Sequence, residues 1–187
     1  MKALLSAICI STLGAAACAT APQATMEDPG AGQPTAVTRA VAVLQPTQGS
    51  AVQATVRFVD NGDGSLAVTT EASGLPAGKH AYHIHVWGDC SGPKGKTAGT
   101  HFHFHGSALN PGKDIQIITG DLGELVADAD GNASHETVIT GAALQGPYAV
   151  LGRAIIIHEK GNDHSQPPIG AAGGRIACGV IGIEPVK

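Results

Sequence analysis

Charged residues are scarce in this sequence, and they form no long run of one sign. They make up 14% of the chain, and 15 acidic against 11 basic residues give a formal net charge of −4. A nucleic-acid-binding surface needs a basic patch, so the composition does not support that role. The lack of a charge run also gives no sign of a solvated interaction tail.

Aromatic residues and helical periodicity are scarce as well. Aromatics account for 3% of the chain, whereas glycine occurs 26 times. Beyond the N-terminal region no segment repeats apolar residues at helical spacing. Abundant glycine with valine, isoleucine, threonine and many turn signals favours an all-β domain over a helical one. The length of 187 residues is enough for one domain with a real core.

The N terminus carries an apolar run, Ala3 to Ala17, that follows Lys2. It is too short to span a bilayer comfortably, and the small residues at its end suit signal-peptide cleavage. We therefore predict a signal peptide over residues 1–19 and an exported protein of the periplasm or cell envelope. Cleavage before Cys18 would leave a lipid-anchored cysteine, whereas cleavage after Ala19 would remove it, and both outcomes stay open.

The rest of the chain divides into a linker and one domain. Residues 20–37 are rich in Ala, Pro, Gln, Gly and Thr and are predicted to be flexible. Residues 38–187 contain eight short strand-like segments separated by turn signals, which predicts an eight-stranded antiparallel Greek-key sandwich or flattened barrel. Residues 88–119 and 159–174 are predicted to be functional loops. The strands are 39–44, 54–59, 65–71, the one with His83 and His85, 120–127, 133–139, 153–158 and 175–183.

Two of the four cysteines are expected in the mature domain. Cys9 leaves with the signal peptide, and Cys18 is either lipidated or removed. Cys90 and Cys178 remain as one even pair in an oxidising compartment, where they form either a disulfide or two buried thiols.

His83 and His85 stand two apart in a stretch that alternates polar and apolar residues. On a β-strand their imidazoles point to the same face and can hold one metal ion. His101 and His158 could complete a set of nitrogen ligands, and four nitrogens suit Cu(II). For the pair alone, the alternative is a surface strand with chance histidines.

Several separated motifs resemble those of the copper/zinc superoxide dismutases. They are HIH followed by WGD within residues 83–89, AGTHF at 98–102, GDLG at 120–123, VLGR through HEK within 150–160, and GRIACGVIG at 174–182. The motifs follow the family's order and cover about residues 38–183. The resemblance implies a Greek-key barrel that converts the superoxide anion to dioxygen and hydrogen peroxide, as a monomer or a homodimer.

The resemblance also implies a role for each matched residue. Arg175 would stand beside copper and attract superoxide, and His101 would both bridge to zinc in ordinary members and donate a proton. Cys90 and Cys178 would form the family's disulfide. His80 would be structural, whereas His135 matches no motif and is expected to be exposed to solvent. The implied copper ligands are His83, His85, His101 and His158.

The positions linked to zinc depart from the family pattern. Ordinary members hold zinc with the bridging histidine, two further histidines and an aspartate. Asp121 matches the aspartate, but Ile118 and Asn110 (or its neighbour Leu109) supply no imidazole where the two histidines are expected. Asn162 replaces an aspartate that connects the two metal sites, and we expect it to weaken that connection. Copper-only members are known, and this pattern is similar to theirs.

The stretch from His101 to His105 leaves one alternative open. It carries histidines at 101, 103 and 105. A turn after His103 would bring His105 back, so that His101, His103, His105 and Asp121 form a tentative zinc site in a shifted geometry. Otherwise the extra histidines line a solvated loop.

Two function classes follow. The first is a copper-dependent superoxide dismutase, and the alternative is a non-catalytic copper-binding module of the same fold. Arg175 favours the enzyme, because storing copper needs no cation that guides anions.

Overall fold

Eight β-strands form the framework of residues 36–103, 118 and 120–185, the part of the chain that the computed structural model describes. One 3₁₀ turn, Lys96–Ala98, is the only helical element in these residues. The predicted signal peptide, Cys18 and most of the predicted linker lie outside the described residues and stay predictions. The strands are β1 (Arg39–Pro46), β2 (Gln53–Asp60), β3 (Ser65–Ser73), β4 (Gly78–His85), β5 (Asp121–Ala127), β6 (Ala133–Thr140), β7 (Ala154–His158) and β8 (Arg175–Ile183).

The strands are hydrogen-bonded antiparallel in the order β5-β4-β7-β8-β1-β2-β3-β6. The two end strands, β5 and β6, lie against each other, so the sheet curls into a nearly closed barrel. Strand β8 joins its two halves, pairing with β1 on one side and β7 on the other. The predicted eight-stranded antiparallel Greek-key barrel is confirmed.

Alternation of side chains decides which face of each strand enters the core. In β4, Tyr82 and Ile84 point into the main core, so that His83 and His85 point outward. In β7, Ile155 and Ile157 belong to the same core, whereas Ile156 packs in a smaller cluster outside the barrel. Both faces of β7 are therefore covered, which is why its sequence is a continuous apolar run. His158 lies two residues after Ile156 and therefore points outward as well. It shares a side of the barrel with His83 and His85.

The first long loop returns to the barrel beside β4. Val86 N donates to Thr100 O at 2.9 Å, and Phe102 N donates to Ile84 O at 2.7 Å, so the segment 98–102 runs along the end of β4. Gly99 allows this approach, because the Cβ of any other residue there would lie 2.6 Å from Trp87 Cδ1. The φ of Gly99 is +76°, a conformation that glycine adopts without strain.

A disulfide fastens the same loop to the last strand. Cys90 and Cys178 are bonded, with their Cα atoms 5.8 Å apart. The predicted bridge is therefore confirmed, and the alternative of two thiols is wrong. Ala98 and Ile156 pack beside Cys178, so the loop has an apolar attachment as well as a covalent one.

Candidate metal centre

The outer side of the barrel gathers four buried histidines. Strand β4 supplies His83 and His85, β7 supplies His158, and the loop segment beside β4 supplies His101. One ring nitrogen from each lies within 4.8 Å of the others. No other group of three or more side chains that could bind a metal occurs within residues 36–103, 118 and 120–185. The structure thus brings together all four side chains that the sequence predicted as copper ligands.

Three of these rings have an unsatisfied nitrogen, which is a direct test of whether a metal fits. His83 Nδ1, His85 Nε2 and His158 Nε2 are buried and have no hydrogen-bond partner among the described residues. Leaving such atoms unpaired in a protein interior costs free energy. A metal ion that accepts their lone pairs would remove that cost, so the residues present fit a nitrogen-bound ion.

The opposite nitrogens of the same rings face oxygen acceptors. His83 Nε2 lies 2.9 Å from Asn162 Oδ1, and His85 Nδ1 lies 2.9 Å from the carbonyl oxygen of Gly99. An oxygen acceptor holds the ring proton on its own side, so the other nitrogen keeps its lone pair. His158 Nδ1 has a longer contact of 3.4 Å with Gly173 O. These partners orient the rings toward one another.

Burial lowers the pKa of the ligand histidines. Burial, together with a smaller effect of the neighbouring His101, lowers the pKa of His83 to about 2 and that of His158 to about 4. The pKa of His85 lies well below its ordinary value for the same two reasons, with an added effect of the Arg175 charge. Neutral imidazole is the form that binds metals, so these rings need release no proton near neutral pH.

Arg175 stands at the start of β8, paired with His158 across the β7–β8 ladder. Its Nη1 donates to Gly95 O and its Nη2 donates to Gly99 O, each at 2.6 Å. Burial lowers the pKa of the guanidinium, yet an arginine keeps its charge at all relevant pH. The site therefore carries a fixed cation beside the histidine cluster, as the sequence predicted.

Comparison with known proteins assigns this arrangement to a family. The chain matches the family model for copper/zinc superoxide dismutase over residues 52–181. It is 35% identical over 152 residues to superoxide dismutase (Cu-Zn) 2 of Brassica juncea, a match that covers 78% of this chain and 98% of that protein. The chain belongs to the copper/zinc superoxide dismutase family. Among solved structures, that of the clock protein EA4 is similar, with 34% identity, a TM-score of 0.63, and coverage of 79% of this chain and 95% of that one.

In this member of the family, the residue matched to the zinc-binding aspartate takes part in hydrogen bonds within the protein. Asp121 Oδ1 accepts hydrogen bonds from Asn162 Nδ2 at 3.0 Å and from the backbone of Gly123 at 2.9 Å. Ile118 is buried at 7% exposure. A Cβ at Gly170 would lie 2.7 Å from Ile118 Cδ1 and 2.9 Å from Asn162 Oδ1, so both side chains pack on this glycine.

Asn162 still connects His83 with Asp121, and the expectation that this connection is weaker than that of an aspartate stays a prediction. Its amide contacts His83 with the oxygen and Asp121 with the nitrogen, so the connection is present. An amide both donates and accepts, whereas the aspartate of other members only accepts. Of the tentative zinc ligands, His103 is half-buried at the edge of the described region. His105, together with Leu109 and Asn110, lies outside that region.

For two further histidines the sequence predicts roles other than metal binding. His80 is buried with its two ring nitrogens 2.8 Å from His158 O and 2.9 Å from Pro76 O, consistent with the structural role. The expected exposure of His135 is wrong, because its Nδ1 lies 2.8 Å from the hydroxyl oxygen of Tyr82 and the ring is half-buried. Its partner belongs to a distant strand, which local sequence does not reveal.

Sequence reasoning missed the backbone carbonyls of Gly95 and Gly99. They orient Arg175, and Gly99 also orients His85. Carbonyl groups are common to every residue, so only the AGTHF motif around Gly99 offered a signal.

Proposed function

We propose that this protein is an exported superoxide dismutase that uses copper and no structural zinc. Family membership supports superoxide dismutation, and the four convergent histidines are the observation that supports copper at this place. The proposed ligands are His83, His85, His101 and His158. Copper bound there would supply the reversible one-electron exchange that the reaction needs and that zinc, which has no redox chemistry, does not.

Arg175 is the proposed guide for the substrate. Superoxide is a small anion, and a fixed cation beside the reaction site raises its local concentration and holds it there. The two carbonyl contacts of the guanidinium restrict its orientation, so the charge stays beside His85 and His158 rather than swinging into solvent. A copper-storage protein would have no use for a cation fixed in this way.

His101 is the proposed proton carrier. Its ring is 4% exposed and lies 4.1 Å from the ring of His83 between centroids. Peroxide formation consumes protons, and an imidazole is suited to deliver one near neutral pH.

Export and attachment are also part of the proposal. The predicted signal peptide over residues 1–19 and the small residues before Cys18 support release into the periplasm or cell envelope, with or without a lipid on Cys18. Across the described residues no helix is long and apolar enough to cross a membrane. Mass spectrometry of the mature N terminus distinguishes a lipidated Cys18 from a chain cleaved after Ala19.

The deciding experiment loads the purified protein with copper alone and measures superoxide consumption per bound copper. Rapid consumption without zinc supports the proposal. Stoichiometric copper with no consumption would instead support the alternative, a non-catalytic copper-binding module. Sedimentation of the same sample reports whether it is a monomer or a homodimer.

A further inference from the structure

Three side chains form a continuous hydrogen-bonded chain behind the proposed copper site. Asn162 Nδ2 donates to Asp121 Oδ1 at 3.0 Å, and Asn162 Oδ1 lies 2.9 Å from His83 Nε2. Asp121 and His83 are also neighbours across the β4–β5 ladder, with their side chains 3.7 Å apart at Oδ1 and Nε2. At the far end lies His83 Nδ1, which is buried and has no hydrogen-bond partner in the part of the protein that the structure describes.

The chemistry of the three groups allows only one donor–acceptor direction for these hydrogen bonds. An ionised carboxylate only accepts hydrogen bonds, so the nitrogen of the Asn162 amide must face Asp121. The amide oxygen then faces His83, where it can only accept. His83 must therefore carry its proton on Nε2, which leaves the lone pair on Nδ1. The carboxylate at one end thus determines which nitrogen of His83 is available to a metal at the other end.

We propose that Asn162 is a positioning residue, which uses Asp121 as its anchor to fix the tautomer and the orientation of His83 for copper. Asp121, the residue matched to a zinc ligand, here anchors a hydrogen-bonded amide instead of a second metal. This inference rests on the proposed copper site and assigns a task to two residues that a copper-only enzyme would otherwise leave without one.

The side chain of Asn162 is held separately from its backbone. The backbone N of Asn162 donates to Glu124 Oε1 at 2.8 Å, and Glu124 in turn pairs with Lys79 at 2.9 Å. The amide itself packs beside Ile118 on the surface of Gly170. Removing only the amide should therefore leave the loop attached to the barrel, so its effect on His83 can be measured alone.

The test compares the full chain with three variants, each studied first without copper and then loaded with Cu(I). Asn162→Ala removes the amide. The double variant Asp121→Asn with Asn162→Asp exchanges the two groups, so that a carboxylate at 162 accepts from His83 and from the amide at 121. Gln166→Ala is the matched control, because it removes an amide of the same loop that bonds only to Asp163 in the described structure.

Two readouts separate positioning from mere loop stability. Nitrogen-15 NMR of the copper-free proteins should show His83 protonated on Nε2 in the parent and in Gln166→Ala, with that preference lost in Asn162→Ala. Copper affinity, measured by chelator competition, should fall about 10- to 100-fold in Asn162→Ala, as for other partners of metal-binding histidines. The exchanged pair should recover both the tautomer and most of the affinity.

The inference is overturned if Asn162→Ala keeps the Nε2 proton and an affinity within about twofold of the parent. It is also overturned if Gln166→Ala causes the same loss, or if the exchanged pair recovers nothing. A parent that binds copper and shows this pattern but consumes no superoxide would contradict the proposed enzyme and leave the positioning role standing.

Discussion

Arg175 and His85 share one hydrogen-bond acceptor, the carbonyl oxygen of Gly99. Arg175 Nη2 lies 2.6 Å from that oxygen, and His85 Nδ1 lies 2.9 Å from it. One peptide group of the first long loop therefore orients both a proposed copper ligand and the proposed guide for superoxide. Movement of this loop would disturb binding of the metal and attraction of the substrate together.

Replacing Arg175 should slow the reaction without removing copper. Arg175→Ala is expected to reduce superoxide consumption about tenfold or more and to weaken its dependence on ionic strength, because steering by charge is screened by salt. Arg175→Lys should retain the salt dependence but lose rate, since an ammonium does not match two carbonyls as a guanidinium does. Lys160→Ala, at an exposed residue, is the control. An unchanged rate in Arg175→Ala would move the guiding role to another cation such as Lys160.

Replacing His83 should abolish tight copper binding. His83→Ala removes one of four converging nitrogens and takes from the amide oxygen of Asn162 its contact with His83. Copper content after dialysis and superoxide consumption are both expected to fall to background. His164→Ala removes an exposed histidine and should change neither quantity. Full copper retention in His83→Ala would show that the ion binds elsewhere.

Removing the disulfide should affect stability and activity more than copper content. Cys90→Ser with Cys178→Ser is expected to lower the free energy of unfolding by about 2–5 kcal/mol. It also releases the loop that holds Gly95 and Gly99, so Arg175 loses its fixed orientation. Urea unfolding and activity per bound copper measure the two effects. Cys18→Ser lies outside the domain and serves as the control; equal stability of the two variants would refute this prediction.

The barrel and the histidine cluster were predictable because both depend on short-range patterns. Alternation along β4 places His83 and His85 on one face, and the apolar run of β7 ends at His158 with the right parity. The partners of these residues were not predictable in the same way. The contact between His135 and Tyr82 joins strands β6 and β4, which are far apart in sequence.

The role of Asn162 shows a second limit of sequence reasoning. Reading it as a replaced aspartate identified the position but not the pair of contacts that an amide makes there. The actual outcome depends on the second residue at the site, because an amide beside a carboxylate can donate to it. Two carboxylates at the same 3.0 Å separation would instead repel each other unless a cation lay between them. Such pairwise chemistry becomes visible only when the fold brings positions 121 and 162 together.

The lowered pKa values predict that the copper-free protein loses stability as the pH falls. Above about pH 6.5 the rings are neutral in both the folded and the unfolded chain. Below that pH the unfolded chain binds protons that the folded chain does not take up until about pH 4 at His158 and about pH 2 at His83. The free energy of unfolding should therefore decrease by up to about 1.4 kcal/mol per pH unit for each ring.

Urea unfolding of the copper-free protein between pH 7 and pH 5 measures this slope. His158→Asn should reduce it, whereas His164→Asn should not. A flat profile in the parent protein would mean that these histidines titrate normally in the folded state.

The protein should not retain zinc. A structural zinc site needs four donors in a closed set. The family positions supply only His101 and Asp121, and Asp121 is already bonded to Asn162. Ile118 is buried where a further histidine was expected. Missing donors would have to come from His103, His105 or His164.

Reconstitution with both ions, followed by dialysis and metal analysis, decides between the two zinc hypotheses. We expect one equivalent of copper, no tightly bound zinc, and the same superoxide consumption whether or not zinc was supplied. His105→Ala should then change nothing, because its imidazole would only line the loop. One equivalent of zinc in the parent that is lost in His105→Ala would establish the rebuilt site of His101, His103, His105 and Asp121. In that case Asp121 would have to give up its hydrogen bond with Asn162 in order to bind zinc. The copper-only proposal would then be wrong.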